Sequence, residues 1–187
     1  MTSRRLSIQA DTFEKLILDA GAVYTGFTSP AAPGTLLGAT RGGATFKREP
    51  QYVETPYEGI PGQVVGQNHL VGVVASLEVN IISFDKVNLA KAIPNSIVSA
   101  PSGGFVTITE KEWDAATVHG ITNIALLAQL SGSNNPAAIV LDNPIAEKDL
   151  SFSLKDKSEV VSKWVFSAYY KESVGFTSPP WRIYWPE

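Results

Sequence analysis

The sequence predicts a mostly β protein: a β-sandwich or partly closed barrel with one short flanking α-helix and extended loop and terminal arms. Three observations carry this expectation. SLEVNIIS alternates apolar and polar residues, with Leu77, Val79 and Ile81 opposed to Ser76, Glu78 and Asn80, the period of a strand with one buried face. VVSKWVFSAYY sets Trp164, Phe166, Ala168 and Tyr170 against Val165, Ser167 and Tyr169 in a second long strand. Gly, Pro and Asn clusters punctuate the remaining apolar runs at short intervals, as in sandwiches and small barrels.

Taken in chain order, residues 1–15 are polar and mixed and form an N-terminal arm or a disordered segment. A single domain is expected over residues 16–178. Leu16 to Tyr24 is its first apolar run, and Gly21 and Gly26 suit a strand with a bend. Thr35–Thr40 and Ala44–Arg48 flank Gly42-Gly43, a pair that suggests a hairpin because both glycines accept positive φ. Residues 49–67 are dense in Pro and Gly, so they predict an extended or hairpin-like excursion and exclude a long helix. Its residues Tyr52, Val53, Tyr57, Ile60, Val64 and Val65 are more apolar than a solvated loop requires.

Leu70–Val74 and Leu77–Ser83 read as strands. Ser83 or Asp85 can cap a helix over residues 84–93, which Pro94 ends. Phe105, Val106 and Ile108 suggest a strand. ITNIALLAQL is divided between helix and strand, with the strand favoured by its β-branched start. Ala137–Leu141 and the alternation of Leu150, Phe152 and Leu154 predict two more strands. Residues 179–187, PPWRIYWPE, form an aromatic C-terminal arm whose exposure is costly unless it is pinned on its own core or in a neighbour's groove.

Composition narrows the function. The 187 residues carry 15 Lys plus Arg and 18 Asp plus Glu, a formal charge of -3, the wrong sign for gripping a phosphate backbone. Charged residues make up 18%, below the roughly 25% of ordinary globular chains, as fits a surface partly covered by other subunits. The absence of cysteine excludes disulfides, thiolate nucleophiles and thiolate metal sites. No uninterrupted apolar run is long enough for a helical membrane span.

Chemistry-bearing patterns are sparse. His119 follows Trp113 and Asp114 but reads as a structural or surface histidine, and His69 has no close-spaced ligand partner. Glu110, Glu112 and Asp114 alternate around Lys111 as a solvated edge does. TRGGATF lacks the Lys-Ser/Thr ending of a phosphate loop. The expectation is a protein that is not an enzyme, with no catalytic, metal or cofactor site.

TLLGATRGGATFKREPQYVETPYEGIPGQVVGQNHLVGVVASLEVNIISF, followed by FDKVNLAKAI and, near the end, by KDLSFSLKDKSEVVSKWVFSAYYKES and PPWRIYWP, resembles the siphophage major tail tube protein family in the order and spacing of its parts. The resemblance covers roughly residues 16–187. It implies a virion subunit, made in the bacterial host cytoplasm, that stacks as hexameric rings into the hollow tube of the tail. DNA passes through the lumen without specific binding, and the subunit does not insert in a membrane. Implied partners are further copies of the chain and the tape-measure, tail terminator and tail-tip proteins. Carried onto this sequence, the excursion and the arm become inter-subunit surfaces, with Tyr52, Tyr57, Ile60, Val64, Trp181, Ile183, Tyr184 and Trp185 as interface residues. Glu78 and Asn80 become lumen-facing. The alternatives are the tube of a contractile tail or secretion system, and a monomeric carbohydrate- or protein-recognition sandwich using Tyr52, Tyr57, Trp113 and Trp181.

Overall fold

Alternation is the organising fact of the structure, a computed structural model that describes residues 13–17, 21–55, 58–59, 62, 64–112, 120–147, 150–171 and 177–187. The strands in chain order are β1 (Ala22–Thr25), β2 (Thr35–Leu36), β3 (Thr40–Glu54), β4 (Asn68–Ile81), β5 (Ser96–Val98), β6 (Ile108–Glu110), β7 (Asn123–Gln129), β8 (Pro136–Asp142), β9 (Pro144–Ala146), β10 (Ser162–Ala168) and β11 (Trp181–Tyr184). Among the described residues one α-helix, α1 (Lys86–Ala92), follows β4. Every pairing is antiparallel. A five-stranded sheet has the order β11-β8-β7-β1-β2, a four-stranded sheet the order β3-β4-β10-β9, and β5 and β6 form a separate ribbon.

The two larger sheets face each other as a sandwich. Leu77, Val79 and Ile81 of β4 and Trp164 and Phe166 of β10 meet Val23, Ile124, Leu126 and Leu141 of the opposite sheet in one buried cluster. The arrangement is sandwich-like, and among the described residues neither sheet closes on itself into a barrel.

A second cluster lies on the other face of the five-stranded sheet, where Phe27, Ala125, Leu127, Ala138 and Val140 pack under Tyr24 and Tyr184. Strand β7 is therefore covered on both sides, which is why its centre, Ile124 to Ala128, is apolar throughout and shows no alternation.

Other expectations change in instructive ways. Gly42 and Gly43, both at φ +80, do not turn the chain. They form a bulge in which Thr40 still opposes Ile81 and Ala44 opposes Val79, so β3 continues as one long strand while Thr35–Leu36 pairs with β1. Leu70–Val74 and Leu77–Ser83 merge into β4. The alternation at Leu150, Phe152 and Leu154 yields no strand: the segment enters no ladder, although its Ser151 carbonyl accepts from the Ser162 hydroxyl of β10 at 3.0 Å. Phe152 packs edge-on against Phe84 instead, at 5.2 Å between ring centroids.

Helix α1 occupies most of the expected 84–93 span. Asp85 is its N-cap, its Oδ1 accepting from the backbone N–H groups of Val87 at 2.7 Å and Asn88 at 2.9 Å.

Gly34 makes the tightest backbone approach in this part of the fold. It sits at φ +92, and a Cβ there would lie 2.7 Å from the Gly26 carbonyl oxygen and closer still to that of Thr25. Gly34→Ala is expected to destabilise the protein by upward of about 2 kcal/mol. Gly26→Ala, at φ +74 with open space around it, should cost less, and comparing the two denaturant midpoints isolates the contact from the backbone strain.

Candidate interaction surface

Strands β3 and β4 are longer than the sheet they belong to. Leu37 N–H donates to the Val23 carbonyl at 2.8 Å, and nine residues later the Phe46 ring stands 6.0 Å from that of Trp181. Strand β3 thus passes across the five-stranded sheet, from its β1–β2 edge to its β11 edge. Beyond Arg48, which pairs with Ala75, the two strands run on as a ribbon with no sheet beneath it.

The ribbon is held by its own ladder, continuous to Glu54↔Asn68 apart from an irregularity between Gln51 and Tyr52. Gln67 closes its far end, its Oε1 accepting from Val64 N–H at 2.8 Å and its carbonyl accepting from Thr55 N–H at 3.0 Å. A ribbon of this kind should be polar, but this one exposes Tyr52 (58%), Val53, Val64, Leu70, Val71 (62%) and Val74. Apolar side chains grouped on a projecting ribbon mark an interaction surface more strongly than the same residues scattered singly.

Of the residues expected on the excursion, Tyr52 and Val64 are on this ribbon and exposed, while Tyr57 and Ile60 lie outside the described residues. Leu70–Val74 was expected as a strand and is one, but Leu70, Val71 and Val74 of it are exposed.

The C-terminal residues are not a detached arm. Trp181–Tyr184 is the fifth strand of its sheet, in register with Leu141–Ala138 of β8. Trp181 turns inward to Phe46, and its Nε1 is the one buried side-chain polar atom without a partner among the described residues. Tyr184 lies on the opposite face, 5.5 Å from the Phe27 ring. Arg182 is ion-paired with Asp142. Of the large apolar side chains in this segment, Ile183 and Trp185 remain largely exposed.

Glu78 and Asn80 stand on the solvent side of the four-stranded sheet, as their alternation with the buried Leu77, Val79 and Ile81 requires. Lys163 is cross-strand from Asn80, and its Nζ is 2.6 Å from the Glu78 carboxylate, so this face is locally charge-balanced. At its β9 side Glu147 accepts from the hydroxyls of Ser167, at 2.5 Å, and Tyr169. The hydrogen bond to that carboxylate, with burial adding to it, pushes the Tyr169 phenol up to about 12.

Depressions elsewhere are poor in reactive groups. One of about 290 Å³ beside α1 is lined by Lys86, Val87, Ala90, Lys91, Ser96 and Val98. Burial lowers the Lys91 ammonium against the opposing pull of Asp85, and its Nζ donates to Thr25 Oγ1 at 3.0 Å. Another, of about 260 Å³, contains Asp142, Asn143 and Tyr169, already engaged with Arg182, the Tyr169 carbonyl and Glu147 respectively. Among the described residues no group of three His, Asp or Glu side chains is placed to hold a metal. His69 is exposed on the ribbon, and Trp113 and His119 lie outside the described residues. No protein-family model matches the sequence, and no curated protein matches it.

Proposed function

We propose that this chain is a self-assembling structural subunit, a major tail tube protein whose hexameric rings stack into the conduit for genome delivery, and that it performs no catalysis. The observation that carries the reading is the projecting β3–β4 ribbon, whose exposed Tyr52, Val53, Leu70 and Val71 are costly for a monomer and useful to an assembly. Open sheet edges add to it. Strand β3 is fifteen residues long and, among the described residues, has one edge with no strand paired to it, a hazard that a closed ring converts into a joint.

The solvent side of the four-stranded sheet suits a lumen. The Glu78–Lys163 pair and Asn80 present a polar, nearly neutral surface, to which a sliding polyanion does not adhere as it does to a basic groove. The tape-measure, terminator and tip proteins are the partners such a tube requires.

The test is negative-stain electron microscopy with light scattering. The intact chain is compared with a variant in which residues 49–74 are replaced by an Asn-Gly turn joining Arg48 to Ala75. Rings or tubes are expected from the intact chain and only folded monomers from the shortened one. A shortened variant that assembles equally well, or an intact chain that stays monomeric at high concentration, refutes the reading.

A further inference from the structure

Helix α1 has two unlike faces. Asn88 and Ala92 are buried, whereas Lys86, Val87, Ala90 and Lys91, neighbours on the helix surface at spacings of four, form one side of the depression of about 290 Å³. Ser96 and Val98, two residues apart on β5 and therefore on one face of it, form the other side. A smaller cavity of about 60 Å³ adjoins it and shares Ala90, Lys91 and Ser96. The two walls are fixed to each other. The Ser96 hydroxyl donates to the Ala90 carbonyl at 2.8 Å. Asn95, at φ 60, turns the chain from the helix into β5, and its Nδ2 donates to the carbonyls of Lys111 at 3.1 Å and Glu112 at 2.6 Å.

The lining joins apolar contact to positive charge. Val87 and Val98 are exposed, Lys86 and Lys91 carry the charge, and among the described lining residues there is no carboxylate. Asp85, at the start of the helix, spends Oδ1 on the Val87 and Asn88 N–H groups and Oδ2 on Asn88 Nδ2. Glu110, across from Ser96 on β6, is exposed and outside the lining. Lys91 is half-buried and forms no ion pair among the described residues. Of its three N–H donors, two reach neutral oxygens, Thr25 Oγ1 at 3.0 Å and Asn88 Oδ1 at 3.4 Å. Burial lowers its pKa despite Asp85, as happens to an ammonium that has lost water without gaining an anion in its place.

We propose that this depression binds a small apolar monocarboxylate, its carboxylate on the Lys91 ammonium and its hydrocarbon body on Val87, Ala90 and Val98, with Lys86 adding positive charge at the exposed rim. The volume is close to the lower end, about 300 Å³, of small-molecule sites. At about 30 Å³ per water-sized group it holds roughly ten heavy atoms, the size of octanoate. A neutral hydrocarbon leaves the half-buried ammonium unmatched, and a cation adds a further positive charge to two already there. A multiply charged anion places its excess charge against valine and alanine. The site uses no residue of the β3–β4 ribbon and does not depend on the assembly reading.

Isothermal titration calorimetry of the intact chain with octanoate, 1-octanol and octylammonium tests the site. Octanoate is expected to saturate at a single molecule per chain and to bind at least about tenfold more tightly than either of the others. Lys91→Met keeps the length of the side chain and removes its charge, and should weaken octanoate about tenfold, to the level of octanol. Val87→Asp, at an exposed position, sets a carboxylate against that of the ligand and should weaken it by a similar factor while leaving the Lys91–Thr25 contact in place. Lys47→Met, an exposed lysine of β3, should change nothing. Should Lys91→Met fail to fold, Val87→Asp decides the matter. Equal affinity for octanoate and octanol, heat that does not saturate, or undiminished octanoate binding by folded Lys91→Met or by Val87→Asp overturns the proposal.

Discussion

Replacing Phe166 by alanine is expected to lower the unfolding free energy by about 3–5 kcal/mol. The ring is fully buried in the middle of β10, 6.3 Å from Trp164 in an edge-to-face arrangement, and in the cluster joining the two sheets. Its cross-strand neighbours Leu77 and Ala146 are themselves held in ladders on either side, so little can collapse into the space left behind. Domains of this kind have about 5–15 kcal/mol of net stability, and the loss would be a large share of it. Urea unfolding followed by tryptophan fluorescence measures the effect. Phe152→Ala, which removes a half-exposed ring, is the comparison and should cost clearly less. Equal costs would mean that the inter-sheet cluster does not dominate stability.

Truncation before Pro179 should damage the fold and not merely trim an arm. It removes β11, with four residues in register on β8, and with it the Trp181–Phe46 contact, the Arg182–Asp142 ion pair and the Tyr184 cover over Phe27. Loss of a packed tryptophan alone is worth about 3–5 kcal/mol, reduced by the roughly 1–3 kcal/mol that its unpartnered indole N–H costs when buried. Uncovering Ala138 and Val140 adds to the damage. A net loss near 5 kcal/mol corresponds to a melting point about 10–20 °C lower for a chain of this size. An unchanged melting point would show that β11 is dispensable to the sandwich. For the same reason, loss of assembly after this truncation would not identify an inter-subunit role for residues 179–187. Shortening the β3–β4 ribbon avoids the difficulty, since the described residues among 49–74 belong to neither buried cluster.

Local physics made some elements readable from the residues alone. Strict alternation placed Leu77, Val79 and Ile81 inside and Glu78 and Asn80 outside, because a half-buried strand allows only that pattern. The capped helix was equally legible, since Asp85 followed by an apolar-sided stretch and then Pro94 leaves the backbone few other options.

Pairing partners were not readable, and the errors follow from that. Gly42-Gly43 can serve a turn or a bulge, and the choice was made by β4, whose length lets Thr40 and Ala44 both keep partners across it. Leu150, Phe152 and Leu154 have a strand's pattern, but a strand also needs a ladder partner, and their segment pairs with none of the described strands. LVGVV could be read as apolar but not as exposed, because burial is a property of what lies opposite. The candidate site divides in the same way. Its excursion was visible as a segment too apolar for a loop, whereas the depression beside α1 joins Val87 and Lys91 to Ser96 and Val98, residues of separate elements that share no motif.

By itself, then, the sequence determined which residues must be covered and which backbone positions must bend, since alternation, capping and glycine conformations act over a few residues. The tertiary structure alone decided what covers them and which apolar residues remain uncovered, because cross-strand pairing and sheet packing join segments the chain keeps far apart.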